Sequence, residues 1–129
     1  VRVRCDIERA DAILCFDATL LEGRLLATAH EGTLIVVNSG RSVDDFARAL
    51  PGYRVIPVDG IAISRRAGLG RIVNSALLGA FARAIGTPPL ATLERTLAER
   101  SPKLTAENLA ACVDGYRTVD ALLADEVAA

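Results

Sequence analysis

Residues 33–40 read Thr33-Leu-Ile-Val-Val-Asn-Ser-Gly40, and the fold turns on them. Thr33–Val37 is a short, unalternating apolar run, closed by the turn formers Asn38-Ser39-Gly40. A strand without polar alternation has both faces covered, which is the condition of a parallel sheet. Upstream, Asp11–Asp17 (DAILCFD) is a second such run, bracketed by acids. Downstream, Tyr53–Val58 (YRVIPV) is a third, with Pro57 marking its end. Val1–Arg4 alternates apolar and basic residues, as a half-buried strand does.

Helical patterns separate these runs. Asp17 stands where an N-cap belongs, before ATLLEGRLLATAHEG, with Thr19 as a competing cap. Ser42-Val-Asp-Asp opens a short helix with acids in its first turn. Asp59-Gly60 leads into IAISRRAG. Gly70–Gly86 reads as a central helix that is apolar around most of its circumference. Gly79 costs that helix about 1 kcal/mol against Ala, which implies a packing reason for it. Asn74 is its one strongly polar side chain, and is expected as a polar notch in the core. Leu90–Arg100 and Thr105–Ala129 are two further helices, each with an apolar face.

Strands alternating with helices imply right-handed crossovers and a parallel sheet. The expected fold class is α/β: a three-layer α/β/α arrangement, a mainly parallel sheet of about four strands, and a helical C-terminal half. The 129 residues are read as a single domain over 1–129.

Composition narrows the function. The chain is 51% hydrophobic, which suggests a fully covered sheet or surface hidden against partners. Its 15 basic and 16 acidic residues give a formal charge of −1, so no nucleic-acid or anionic-membrane partner is expected. Arg71 and Arg83 interrupt the longest apolar run, and VRVRCDIER lacks the apolar segment of a secretory signal. Cys5, Cys15 and Cys112 are widely spaced, as free thiols in a reducing cytoplasm are. With a single His and no C-x-x-C pair, no metal site is expected.

Ligands of parallel sheets gather beyond the carboxyl ends of the strands. Those ends carry Asp17, Asn38-Ser39-Gly40 and Asp59-Gly60. The two aspartates serve as helix caps or as ligand contacts, and the Asn38 turn is a plain turn or a surface facing a ligand or another domain. Arg65 and Arg66, with Arg71 nearby, form a solvated basic face or a clamp for phosphate or an acidic surface. Gly68-Leu69-Gly70 lacks the strand and third glycine of a dinucleotide fingerprint. His30 fits a cation at a helix C-terminus. Nowhere do a nucleophile, a base and an orienting group come together, so no catalytic residue is expected. The candidate contact residues are Asn74 first, then Asn38, Ser39 and Arg66.

These residues also carry a family resemblance. Ala10–Asp17, Gly32–Ser39 and Val55–Val58, in that order, resemble the γ subunit or γ domain of 2-oxoacid:ferredoxin oxidoreductases. So do Arg71-Ile-Val-Asn74 with Leu78-Gly79-Ala80, Leu93-Glu94 through Leu97, and Glu107–Ala111 with Gly115-Tyr116. The resemblance implies a complex that oxidatively decarboxylates a 2-oxoacid to an acyl-CoA. It implies thiamine diphosphate, iron–sulfur clusters and coenzyme A in the complex, with no cofactor held by this chain alone. It implies α and β subunits as partners and ferredoxin as an indirect one. The family's Gly-Gly-Gln-Gly turn and Arg-Gly-Gly segment are not in this sequence, so 1–129 is expected to be a fragment of a γ module. Two other readings stand beside this one: a stand-alone small-molecule-binding α/β domain, and a pure assembly module.

Overall fold

The computed structural model describes residues 12–21, 29 and 32–128. Among these residues three strands, β1 (Ala12–Cys15), β2 (Leu34–Asn38) and β3 (Arg54–Val58), lie parallel in the order β1-β2-β3. Ala12 pairs in register with Leu34, and Leu34 with Arg54. The expected strand at Val1–Arg4, Cys5, His30 and most of the helix expected after Asp17 lie outside the described residues. Of that helix, a 3-10 turn at Ala18–Leu20 is described.

Among the described residues there are five α-helices: α1 (Val43–Ala49), between β2 and β3, then α2 (Gly60–Ala67), α3 (Asn74–Ile85), α4 (Leu90–Arg100) and α5 (Thr105–Ala128). The sheet is covered on both faces, so the fold is α/β with three layers. Ile13, Cys15, Ile35, Val37 and Val55 pack on one face with Leu21 and with Phe46 of α1. Val36, Ile56 and Val58 pack on the other with Ile63 of α2, Leu77 and Ala80 of α3, and Val119 of α5. Each such aliphatic side chain contributes about 1.5–3 kcal/mol on burial. The absence of polar alternation in β2 is thereby explained: consecutive residues face two different apolar layers.

β3 ends at Val58, one residue after Pro57, at the limit the sequence implies, and begins at Arg54 rather than Tyr53. Among the described residues β3 is an edge strand, where a missing N–H is tolerated.

The helical half is organised on α5. A Cβ built on Gly79 would overlap the carbonyl oxygen of Cys112 and lie 2.8 Å from its carbon. A Cβ on Gly115 would likewise overlap the Ala76 carbonyl oxygen. The packing reason expected for Gly79 is therefore a backbone-to-backbone crossing of α3 and α5. Beside it, Ala82, Leu93 and Cys112 form a small apolar cluster with Leu97 and Tyr116, which seats α4.

The central helix begins later than its sequence implies. The Ile72 N–H closes a turn on the Leu69 carbonyl at 3.2 Å, with Gly70 at φ 64°, and regular helix starts at Asn74. Asn74 is consequently exposed on the first turn rather than buried as a polar notch.

Candidate functional site at the strand ends

The carboxyl ends of the three strands are tied together by one side chain. Asn38 Nδ2 donates to the Phe16 carbonyl at 3.3 Å, and Asn38 Oδ1 accepts from the Gly60 N–H at 2.9 Å. β1 and β3 do not pair with each other, so Asn38 bridges them across β2. Asn38, expected as the first residue of a turn, is instead the last residue of β2, and the chain bends at Gly40 and Arg41.

Ser39 continues the join. Its N–H donates to the Val58 carbonyl at 3.0 Å, and its Oγ accepts from the Arg41 N–H at 3.1 Å. The two aspartates act as caps. Asp17 Oδ1 accepts from the Thr19 N–H and hydroxyl, both at 2.9 Å. The Thr19 main-chain bond, followed by its hydroxyl bond, holds the Asp17 carboxyl below its ordinary pKa. Asp59 Oδ1 accepts from the Ala62 N–H at 3.0 Å, capping α2. Gly40 faces Asp59 closely: a Cβ there would lie 3.0 Å from Asp59 Oδ2.

The start of α3 is brought to the same corner. A Cβ on Gly60 would sit 2.9 Å from Asn38 Oδ1, 3.3 Å from Val73 Cβ and 3.4 Å from Leu77 Cδ2. Val73 is the N-cap of α3 and supplies no side-chain capping bond. Asn74 follows it, exposed, so Asn38, Ser39 and Asn74 share one corner of the molecule.

Arg66 is elsewhere. It is the seventh residue of α2, about 9 Å along the helix axis from Gly60 at 1.5 Å per residue. Its guanidinium donates to Asp114 Oδ2 of α5 at 2.9 Å. The basic cluster expected from Arg65, Arg66 and Arg71 is split accordingly, with Arg66 committed to a cross-helix ion pair.

Several residues of this region were not singled out by the sequence. Phe16 contributes through its main-chain carbonyl, which leaves no side-chain pattern, whereas Gly60, which contributes its N–H, was named with Asp59 at a strand end. Ser75 Oγ donates to Asn108 Oδ1 at 2.5 Å, and Asn108 Nδ2 donates to the Leu104 carbonyl at 2.9 Å. That bond joins the first turns of α3 and α5 across 33 residues of chain.

Two cysteines fall within the described residues. Cys15 and Cys112 are both buried and belong to separate apolar clusters. Burial, with a smaller effect from the Glu94 charge, pushes the Cys112 thiol up to about 11. Among the described residues no group of three His, Cys, Asp or Glu side chains could hold a metal ion, and no helix is long and apolar enough to cross a membrane.

Residues 1–118 match the pyruvate ferredoxin/flavodoxin oxidoreductase family. Over 99 residues the chain is 28% identical to the pyruvate synthase subunit PorC of Thermotoga maritima, covering 75% of this chain and 51% of that one. The crystal structure of the pyruvate oxidoreductase subunit PORC from the same organism matches with a TM-score of 0.76 at 25% identity. That match covers 86% of this chain and 64% of the crystallised one. The chain thus spans about half the length of the curated relative it matches.

Proposed function

The chain belongs to the pyruvate ferredoxin/flavodoxin oxidoreductase family, and from that premise we propose that it is a γ module of a 2-oxoacid:ferredoxin oxidoreductase. It works inside the complex that oxidatively decarboxylates a 2-oxoacid to an acyl-CoA and passes the electrons to ferredoxin. The observation that carries this reading is the joint match in sequence and fold to PorC, with 86% of the chain covered at a TM-score of 0.76.

The module's own contribution is assembly. Thiamine diphosphate, the electron sink of the reaction, and the iron–sulfur clusters are assigned to the α and β modules of a cytoplasmic complex. The described cysteines do not fit cluster ligation, which needs accessible thiolates. Cys15 and Cys112 are buried apart from each other, and the Cys112 thiol stays protonated up to about 11. At the strand-end corner, Asn74 and the Ser39 hydroxyl are the groups offered to a neighbouring module or to the coenzyme A side. Asn38 supports them by fixing the strand ends. Arg66 joins such a contact only by releasing Asp114.

The test is a tagged pull-down of the native protein from its own cells. Larger partners with thiamine diphosphate and iron–sulfur absorbance are expected. A bait that comes down alone overturns the complex reading and returns the stand-alone binding domain. Asn74→Ala is expected to lower assembly or complex activity without moving the melting temperature. Asn108→Ala, which breaks the bonds to Ser75 and Leu104, is expected to lower the melting temperature instead. Indifference of the complex to Asn74→Ala removes that residue from the site.

A further inference from the structure

Near the strand-end corner three large apolar side chains stay exposed beside the described helices. Phe16, Ile61 and Ile72 are 49%, 38% and 55% exposed. Main-chain contacts bring their backbones to one place. Asn38 binds the Phe16 carbonyl and the Gly60 N–H, and Gly60 lies so near Val73 that a Cβ added to it would be 3.3 Å from the Val73 Cβ. Ile61 and Ile72 are the chain neighbours of Gly60 and Val73. Large apolar side chains exposed singly are ordinary, whereas a group of them on one face marks an interaction surface.

The charge around the patch selects its occupant. Asp17 and Asp59 are exposed beside Phe16 and Ile61, and each is pinned by the N–H it caps. Neither forms an ion pair among the described residues. Asp44 and Asp45 stand in the first turn of α1, which follows the Asn38 turn. Among the described residues the cations nearby are Arg41, whose guanidinium lies 4.9 Å from the Phe46 ring centroid, and exposed Arg71 beside Ile72. Arg66, the other candidate for binding an anion, is held by Asp114. A phosphate entering between Asp17 and Asp59 would meet like charge, whereas a lysine or arginine would meet two pre-oriented carboxylates.

We infer that the strand-end face, centred on Phe16, Ile61 and Ile72, docks an apolar segment of another subunit of the complex, flanked by Lys or Arg side chains that meet Asp17 and Asp59. This rests on the γ-module reading. The apolar side chains supply the affinity, and the aspartates set the orientation and rate of docking.

The experiment uses the full native protein, tagged, in cells that make the rest of the complex, and measures partner subunits retained against salt concentration. Phe16→Ser and Ile72→Ser are expected to weaken retention about tenfold each, at unchanged melting temperature of the isolated protein. Leu104→Ser, at an equally exposed position on the loop before α5, is expected to have no effect. Asp17→Asn with Asp59→Asn keeps both caps while removing both charges, and is expected to flatten the salt dependence. If wild type retains its partners and the Phe16 and Ile72 variants retain them equally, the docking inference fails while the γ-module reading stands. Unchanged salt dependence in the Asp variants overturns the basic character of the partner. If wild type itself retains no partner, both readings fall together.

Discussion

Gly79 of α3 rests directly on the main-chain carbonyl of Cys112 in α5, with no side chain between the two helices. Gly115 makes the reciprocal contact on Ala76, one turn away along each helix. The crossing dictates the sign of a substitution that helix propensity alone would reverse. In an open helix Gly→Ala gains about 1 kcal/mol. Here Gly79→Ala and Gly115→Ala are each expected to cost about 1–3 kcal/mol, because the added methyl must displace backbone. Urea denaturation of the two single variants and the double variant checks this, and the pair is expected to be non-additive. A stabilised Gly79→Ala protein would contradict the crossing.

Asn38 offers a test of the strand-end bridge. Asn38→Ala removes both bonds and leaves the Gly60 N–H without its partner, at an expected cost of about 1–3 kcal/mol. Asn38→Asp keeps the acceptor for Gly60 but sets a carboxylate against the Phe16 carbonyl. Its deficit relative to wild type is expected to be smallest below about pH 4, where a protonated carboxyl still donates, and to grow as the group ionises. A deficit independent of pH would mean that the Phe16 contact contributes nothing.

The N-terminus of α1 is expected to respond to acid. Ser42 Oγ accepts from the Asp45 N–H at 3.1 Å, Asp45 Oδ2 accepts from the Ser42 N–H at 3.4 Å, and Arg48 reaches Asp45 Oδ1 at 2.6 Å. The Ser42 main-chain bond is the largest influence holding the Asp45 carboxyl below its ordinary pKa, with smaller contributions from the Ser42 hydroxyl, Arg48 and Arg41. A depressed carboxylate contributes stability above its unfolded value, about 3.9, and that contribution is lost as pH falls through the folded value. Amide exchange across Val43–Ala49 is therefore expected to accelerate below about pH 4 in wild type, and much less in Asp45→Asn.

Cys112 is expected to resist alkylation in the native state. Its folded pKa of about 11 lies above the unfolded value, so its contribution to stability is present below that unfolded value and lost as pH rises through the folded one. Peptide mapping after iodoacetamide treatment at pH 8 is expected to find Cys112 modified in denaturant and unmodified without it. Modification at equal rates in both conditions would show the α3–α5 crossing to be open in solution.

Much of this was legible in the sequence. Leu90–Arg100 has the same limits in sequence and structure, because Pro89 before it and Ser101-Pro102 after it are strong local signals. β2 was visible as an unbroken apolar run, β3 as a strand closed at Pro57-Val58, and Gly79 as a glycine with a packing reason. The start of α3 was not legible, since Val73 carries no capping side chain. That displaced the reading of Asn74: an amide counted inside an apolar helix proves to be on its first, exposed turn. Leu78 and Ile85, at helical spacing from it, are 41% and 44% exposed, so apolar character there does not signal burial within this chain. The splitting of Arg66 from the strand ends was hidden as well. Its partner, Asp114, lies 48 residues away, and no local pattern announces such a pairing.

The crossing of α3 and α5 also sets a rule for redesign. Any side chain placed at 79 forces the turn carrying residue 112 outward, and that movement withdraws Ala76 from Gly115 at the neighbouring contact. The two glycines therefore behave as one inherited unit, exchangeable only together with a new helix spacing. Sequence variation in the helical half has freedom on the outer faces of α4 and α5, and almost none along this seam.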